Sequence, residues 1–208
     1  MIRLAGLSVV FFALTVMAQP PTRQLGPVEL VRNVIVEVLA AVKSNQQLTA
    51  ADKQKALKLA EEKVLPHIDF AEATRLAVGR AWAQATPEQR KQLTDEFRRM
   101  LVRLYFNAIG GYEAETMKSW TVRLSPNDIE ATVHDQYTRA SSGRPVQVDY
   151  QMRKTDSGWK IHNIVIEGVS LVLTYRSEFD AVVKQSGIEG LLKRLAEKNA
   201  PEIGRAHV

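Results

Sequence analysis

The sequence predicts an α+β domain, with helices packed around one face of a twisted four-stranded antiparallel sheet. Apolar residues recur at helical spacing as far as Gly110-Gly111. The period then changes from about 3.6 to 2, and helical spacing returns after Gly168. Between the two helical regions, short polar turns separate apolar runs that alternate with polar residues, as an antiparallel meander with one wet face requires.

Pro27 opens the first helix. Val28, Val31, Ile35, Val38 and Val42 form its apolar stripe, and it ends near Lys43. Thr49 caps a second helix that runs to Leu65 and stops at Pro66. Asp69 begins a short third helix over Phe70 to Val78, closed by Gly79. Thr86-Pro-Glu-Gln89 is a capping box and opens the best-marked helix. Leu93, Phe97, Met100, Leu101, Leu104, Tyr105, Ala108 and Ile109 give that helix one broad apolar face. Its other face carries Arg90, Lys91, Arg98, Arg99 and Arg103, which is either a solvated surface or a docking surface.

Trp120, Val122 and Leu124 mark the first strand, and Ile129, Ala131 and Val133 the second. Val146, Val148, Tyr150 and Met152 mark the third, and Trp159 to Ile166 is the fourth. Helix is expected from about Ser170 to Ser186, ending at Gly187. Ile188, Leu191, Leu192 and Leu195 then form a last amphipathic helix before Pro201.

The termini stand apart from this domain. Met1-Ile-Arg3 and the apolar run Leu4 to Thr15, followed by Val16-Met17-Ala18, have the layout of a cleaved secretory signal peptide over residues 1–18. An uncleaved anchor is the alternative. The domain then spans residues 19–201, and residues 202–208 form a flexible tail. An exported domain of this length does not need disulfides, and the chain has no Cys. Thiolate catalysis and Cys-based metal sites are thereby excluded. The net charge of +5 is mild, and no nucleic-acid motif accompanies it, so a nucleic-acid partner is not expected.

Few residues suggest chemistry. His67, His134, His162 and His207 show no metal-ligand spacing, and His134 and His162 fall on strand positions facing away from the apolar side. Gly168-Val-Ser170-Leu-Val172 lacks the last Gly of a nucleophile elbow, and no companion motif places a His or an Asp beside it. No catalytic residue, cofactor or metal is expected. The apolar strand faces are the remaining signal. Their pattern fits a filled core and a cavity lining equally, since both demand the same residue types.

A series of residues adds to this. Asp69-Phe70, Gly79-Arg-Ala-Trp82, Gln89 with Phe97, Leu104-Tyr105, Val148-Asp-Tyr150, Trp159-Lys160 and Glu167-Gly-Val-Ser-Leu171 with Tyr175-Arg-Ser177 and Phe179 resemble the MlaC, or toluene-tolerance, family. The likeness runs from about Leu30 to Asn199. The family commonly has Asp near the position of Asn163.

The resemblance implies a soluble periplasmic carrier whose sheet and helices enclose an apolar cavity for the acyl chains of a glycerophospholipid. It also implies exchange of lipid with two partners: an outer-membrane lipoprotein–porin complex and the substrate-binding ring of an inner-membrane ABC transporter. Such exchange would maintain outer-membrane lipid asymmetry. On this basis the lipid-binding residues are Phe97, Leu101, Leu104, Tyr105, Val122, Val146, Val148, Tyr150, Met152, Ile161, Val165, Val169 and Leu173, with Arg176 near a headgroup phosphate. Arg176 is equally suited to a structural ion pair with Glu167 or Glu178. Two other classes stay open. One is a cone-shaped α+β enzyme using Tyr150 or Tyr137 with Asp149, although alternation points Asp149 away from the apolar face. The other is an adaptor with a filled core.

Overall fold

In a computed structural model, the protein is described over residues 25–43, 58–106, 112–121, 124, 127–139 and 145–200. The expected signal peptide, the expected C-terminal tail and the expected cap at Thr49 lie outside these residues.

Helix α1 is Pro27–Lys43, and α2 is described over residues 58–63. The chain leaves α2 earlier than Pro66 alone suggests, and a 3-10 turn takes up Leu65–His67. Helix α3 is Phe70–Val78, and the Asp69 side chain accepts from the Glu72 amide at 2.9 Å, satisfying a free N–H of its first turn. A 3-10 segment, Gly79–Gln84, follows. Helix α4 is Pro87–Phe106. Its capping box is reciprocal. The Gln89 amide donates to Thr86 Oγ1 at 3.2 Å and the Thr86 amide to Gln89 Oε1 at 3.0 Å.

The sheet contains β1 Tyr112–Thr121, β2 Glu130–Arg139, β3 Pro145–Thr155, β4 Gly158–Ile166 and a two-residue β5, Val169–Ser170. Its order is β1-β2-β3-β4-β5, antiparallel throughout. Strand β1 starts well before Trp120, and Val122 falls outside the described residues. Helix does not begin at Ser170. Glu167 and Gly168 have φ of 50° and 81°, and this tight left-handed turn folds the chain back to pair with β4 as β5. A 3-10 turn, Leu173–Tyr175, leads into α5, Arg176–Asn199, which breaks at Gly187 (φ 68°, ψ −172°). The break is the helix end and restart expected there.

Buried apolar residues form two clusters. In one, Leu30, Val31, Val34 and Ile35 of α1 pack on Ala131, Val133, Tyr137, Val148, Tyr150, Met152, Trp159 and Ile161 of the sheet. In the other, α3, α4 and α5 pack on one another around Leu93, Phe97, Met100, Phe179, Leu191 and Leu195. Phe97 sits at the centre of the second cluster, with its ring edge-on to Tyr175 and Phe179. The amide of Asp69 donates to the Ile161 carbonyl at 2.8 Å and ties α3 to β4.

Candidate functional site

Directly opposed residues of an antiparallel pair point to the same face. The pairings therefore define rows across the face that α1 covers, here the inner face. Ala131, Met152 and Ile161 make one row, and Val133, Tyr150 and Ile164 the next. A third row runs Asp135, Val148, Ile166, Val169 from β2 to β5. Tyr137 and Val146 lie beyond it.

Burial is graded along the third row. Asp135 and Val148 are buried, Ile166 is half-buried, and Val169 is 59% exposed. Ile164 and Val146 are also half-buried, and Leu173, just after β5, is 42% exposed. Along the second and third rows the inner face is thus closed over β2 and becomes uncovered toward the β4–β5 edge, where the uncovered side chains are apolar, while the first row stays buried out to Ile161.

One irregularity decides which β4 residues belong to this face. Met152 pairs with Ile161, but Gln151 pairs with Asn163, so His162 is an extra residue in a β-bulge. The bulge shifts the alternation by one. Ile164 and Ile166 join the inner face, while Val165 opposes Asp149 and Ser170 on the outer face. Strict alternation from Ile161 puts Val165 inside, and the bulge reverses that placement.

The sequence-derived lipid residues therefore divide. Val146, Val148, Tyr150, Met152 and Ile161 share the inner face. Val169 and Leu173 stand exposed at its edge. Val165 is on the opposite face. Phe97 and Leu101 belong to the helical cluster. Leu104 is 47% exposed, and Tyr105 is half-buried and hydrogen-bonded to Tyr175. The stripe of α4 thus serves helix–helix packing and is not brought to the sheet among the described residues, whose sheet cover is α1.

Arg176 opens α5, and its Nε and Nη2 lie 3.1 Å from where a Cβ on Gly79 would stand. Among the described residues it has no carboxylate in ion-pair range. Glu178 instead pairs with Lys198 at 2.6 Å and Arg194 at 3.9 Å. Gly79, with φ +67°, is doubly required: its backbone turns left-handed and the guanidinium lies against it.

The basic face of α4 is engaged within the molecule. Lys91 pairs with Asp95 at 2.7 Å and Arg99 with Glu96 at 2.6 Å. Arg90 donates to the Trp82 and Ala83 carbonyls and lies over the Trp82 ring. Arg98 covers Phe70, and Arg103 donates to the Lys198 and Ala200 carbonyls. The contacts of Arg90, Arg98 and Arg103 tie α4 to its neighbours, while the two ion pairs lie within the helix itself.

Two polar groups escaped sequence reasoning. Asp135 faces inward and is 0% exposed. Its place, two residues from both Val133 and Tyr137 on β2, was the available signal. Tyr137 Oη donates to Asp135 Oδ2 at 2.7 Å and touches Tyr150 Oη at 2.9 Å. Asp149 is on the outer face, 2.7 Å from His134 Nδ1, as alternation predicts. The inward carboxylate that a catalytic site would need is therefore Asp135.

His162 is the second. The bulge leaves it half-buried, not solvated, and burial is the main cause that lowers its pKa. Nearby, Glu72 is held below the usual carboxylate range, chiefly by its hydrogen bonds from Arg75, with Arg153 3.4 Å away. Among the described residues no His, Cys, Asp and Glu side chains cluster as a metal site would, and no helix is long and apolar enough to cross a membrane.

Comparison with known proteins places this architecture. A solved structure of a phospholipid-binding protein from Ralstonia solanacearum, in complex with a phospholipid, superposes with a TM-score of 0.73 at 34% identity. The match covers 83% of this chain and 96% of that one. The toluene tolerance protein ttg2D of Pseudomonas putida is 22% identical over 94% of this chain and 87% of its own. The intermembrane phospholipid transport system binding protein MlaC of Haemophilus influenzae is 16% identical over 86% and 85%. The family model described as MlaC protein matches residues 32–197, and the chain belongs to the MlaC family.

Proposed function

We propose that this protein is a periplasmic carrier that binds glycerophospholipid by its acyl chains and performs no catalysis. The observation that carries this reading is the inner sheet face. It is lined by Val146, Val148, Ile164 and Ile166 and uncovered toward an edge of exposed apolar side chains. A filled core would bury that edge, since exposed apolar surface is unfavourable in water. The phospholipid held by the Ralstonia protein and the names of the two relatives support the same reading.

Energetics suit a carrier. Each buried CH₂ is worth about 0.8 kcal/mol against water, so two long acyl chains would exceed the practical ceiling on non-covalent affinity. The relevant exchange is between two hydrocarbon environments, where the large terms nearly cancel. Partners can then load and unload the lipid with a modest bias. We assign those partners to an outer-membrane lipoprotein–porin complex and the substrate-binding ring of an inner-membrane ABC transporter. The shuttle between them would maintain outer-membrane lipid asymmetry. We also assign Arg176, three residues after Leu173 in the chain and without a carboxylate in ion-pair range among the described residues, to a headgroup phosphate.

Mass spectrometry of organic extracts from gently purified protein tests the reading. Phospholipid should co-purify without being added. Extracts free of lipid, together with refolded protein that takes none from vesicles, would sink it.

A further inference from the structure

Val169 and Leu173, the exposed apolar side chains at the edge of the inner face, sit on one short segment, and that segment is tied down from the opposite face. Val169 ends the third row, whereas Ser170 opposes Val165 on the outer face. The Ser170 hydroxyl donates to Asn163 Oδ1 at 2.9 Å and accepts from the Leu173 amide at 2.9 Å. Asn163 is 3% exposed and donates in turn to Oε1 of Gln151, its direct partner on β3, at 2.9 Å. A polar chain thus crosses the outer face from β3 through β4 to β5. The Thr174 hydroxyl closes the same turn on the Ser170 carbonyl at 2.6 Å. Ser170 is the serine of the near-elbow Gly168-Val-Ser170-Leu-Val172, and its proton goes to an amide oxygen, which is no general base. Its hydroxyl is engaged as donor and as acceptor, and both bonds fix the chain around it.

The rest of the attachment to the sheet is slight. Strand β5 has two residues, and beyond it the Leu171 amide donates to the Ile164 carbonyl at 2.9 Å. Before β5 lies the left-handed turn of Glu167 and Gly168. After it, Val172 and Tyr175 belong to the helical cluster. Residues 169–173 therefore form a strap between the sheet and that cluster. We propose that the Asn163–Ser170 hydrogen bond is a latch holding this strap against β4, which makes Asn163 and Ser170 positioning residues for lipid passage. The proposal rests on the carrier reading and deepens it. Lipid entering or leaving the third row at its open edge passes Val169 and Leu173, and the strap gives way for that passage. The latch is closed before and after passage and open only during it. It therefore sets the rate of exchange and not the amount of lipid bound.

The test is transfer of pyrene-labelled phosphatidylglycerol from the loaded protein to unlabelled phosphatidylglycerol vesicles. Ser170→Ala should speed transfer about three- to tenfold, the scale of one net hydrogen bond, with the loaded amount unchanged. Asn163→Leu should do the same. The double variant should be no faster than the faster single one, because both changes remove one bond. Ser170→Thr keeps a hydroxyl that makes the same turn, so it should transfer at close to the wild-type rate. So should Thr86→Ala, which loses a cap of α4 and destabilises the protein without touching the latch. If Asn163→Leu does not fold, Ser170→Ala against Ser170→Thr and Thr86→Ala decides alone.

Unchanged or slower transfer by Ser170→Ala overturns the latch and leaves the carrier standing. So do a loss of bound lipid in that variant, accelerations that multiply in the double variant, or equal acceleration by Ser170→Thr or Thr86→Ala. Wild-type protein that takes up no labelled lipid overturns both.

Discussion

A glutamate moved along the third row should cost progressively less stability while still blocking lipid. At Val148, which is buried, the change gives up about 1.5–3 kcal/mol of apolar burial. An unpaired buried carboxylate adds about 3 kcal/mol or more. The site is also directly opposite Asp135, a second carboxyl group. The total, about 5 kcal/mol or above, rivals the entire stability of a typical domain. At half-buried Ile166 the new carboxylate can turn to the uncovered edge and hydrate, so the cost should be about 1–2 kcal/mol. At exposed Val169 it should stay within about 0.5 kcal/mol. Urea denaturation of the three variants measures the gradient, and mass spectrometry of extracts measures lipid content. Ile166→Glu is the informative variant: folded, but empty of lipid. If it loses as much stability as Val148→Glu, the edge is part of a filled core. If it carries the wild-type complement of lipid, the row is not the acyl-chain surface.

Phe97→Ala should cost about 3–5 kcal/mol, because the ring is fully buried with Phe179 5.3 Å and Tyr175 5.4 Å from its centroid; a small shift in the urea midpoint would refute its central place in the helical cluster. Gly79→Ala should cost about 1–3 kcal/mol for its left-handed backbone and also displace Arg176, so a variant as stable as wild type would contradict the close approach. His67 and His162 have pKa values lowered from 6.5, mainly by burial, so the folded state binds fewer protons than the unfolded chain once pH falls below that value. Their contribution is present above pH 6.5 and lost as pH falls through the folded values. The melting temperature should therefore drop between about pH 7.5 and pH 5.5, and His162→Asn should flatten part of that drop; an identical pH profile in the variant would remove His162 from the account.

What the sequence determined by itself was local. Pro27, the Asp69 cap, the Thr86–Gln89 box and Gly187 act through hydrogen bonds and backbone angles spanning three or four residues, so they are legible without knowing what packs where. Strand alternation was legible for the same reason, and it placed Val148, Tyr150 and Met152 on one face. The tertiary structure decided which surfaces meet. An apolar stripe does not name its partner: α4 and α1 carry similar stripes, yet it is α1 that covers the sheet, while the stripe of α4 packs within the helical cluster. The bulge at His162 reverses Val165 because one unpaired residue shifts a period of two by half a cycle, and only the pairing with β3 reveals it. Asp135 reads as an ordinary strand carboxylate until Tyr150, from the neighbouring strand, completes the hydrogen-bond chain through Tyr137 that holds it inside.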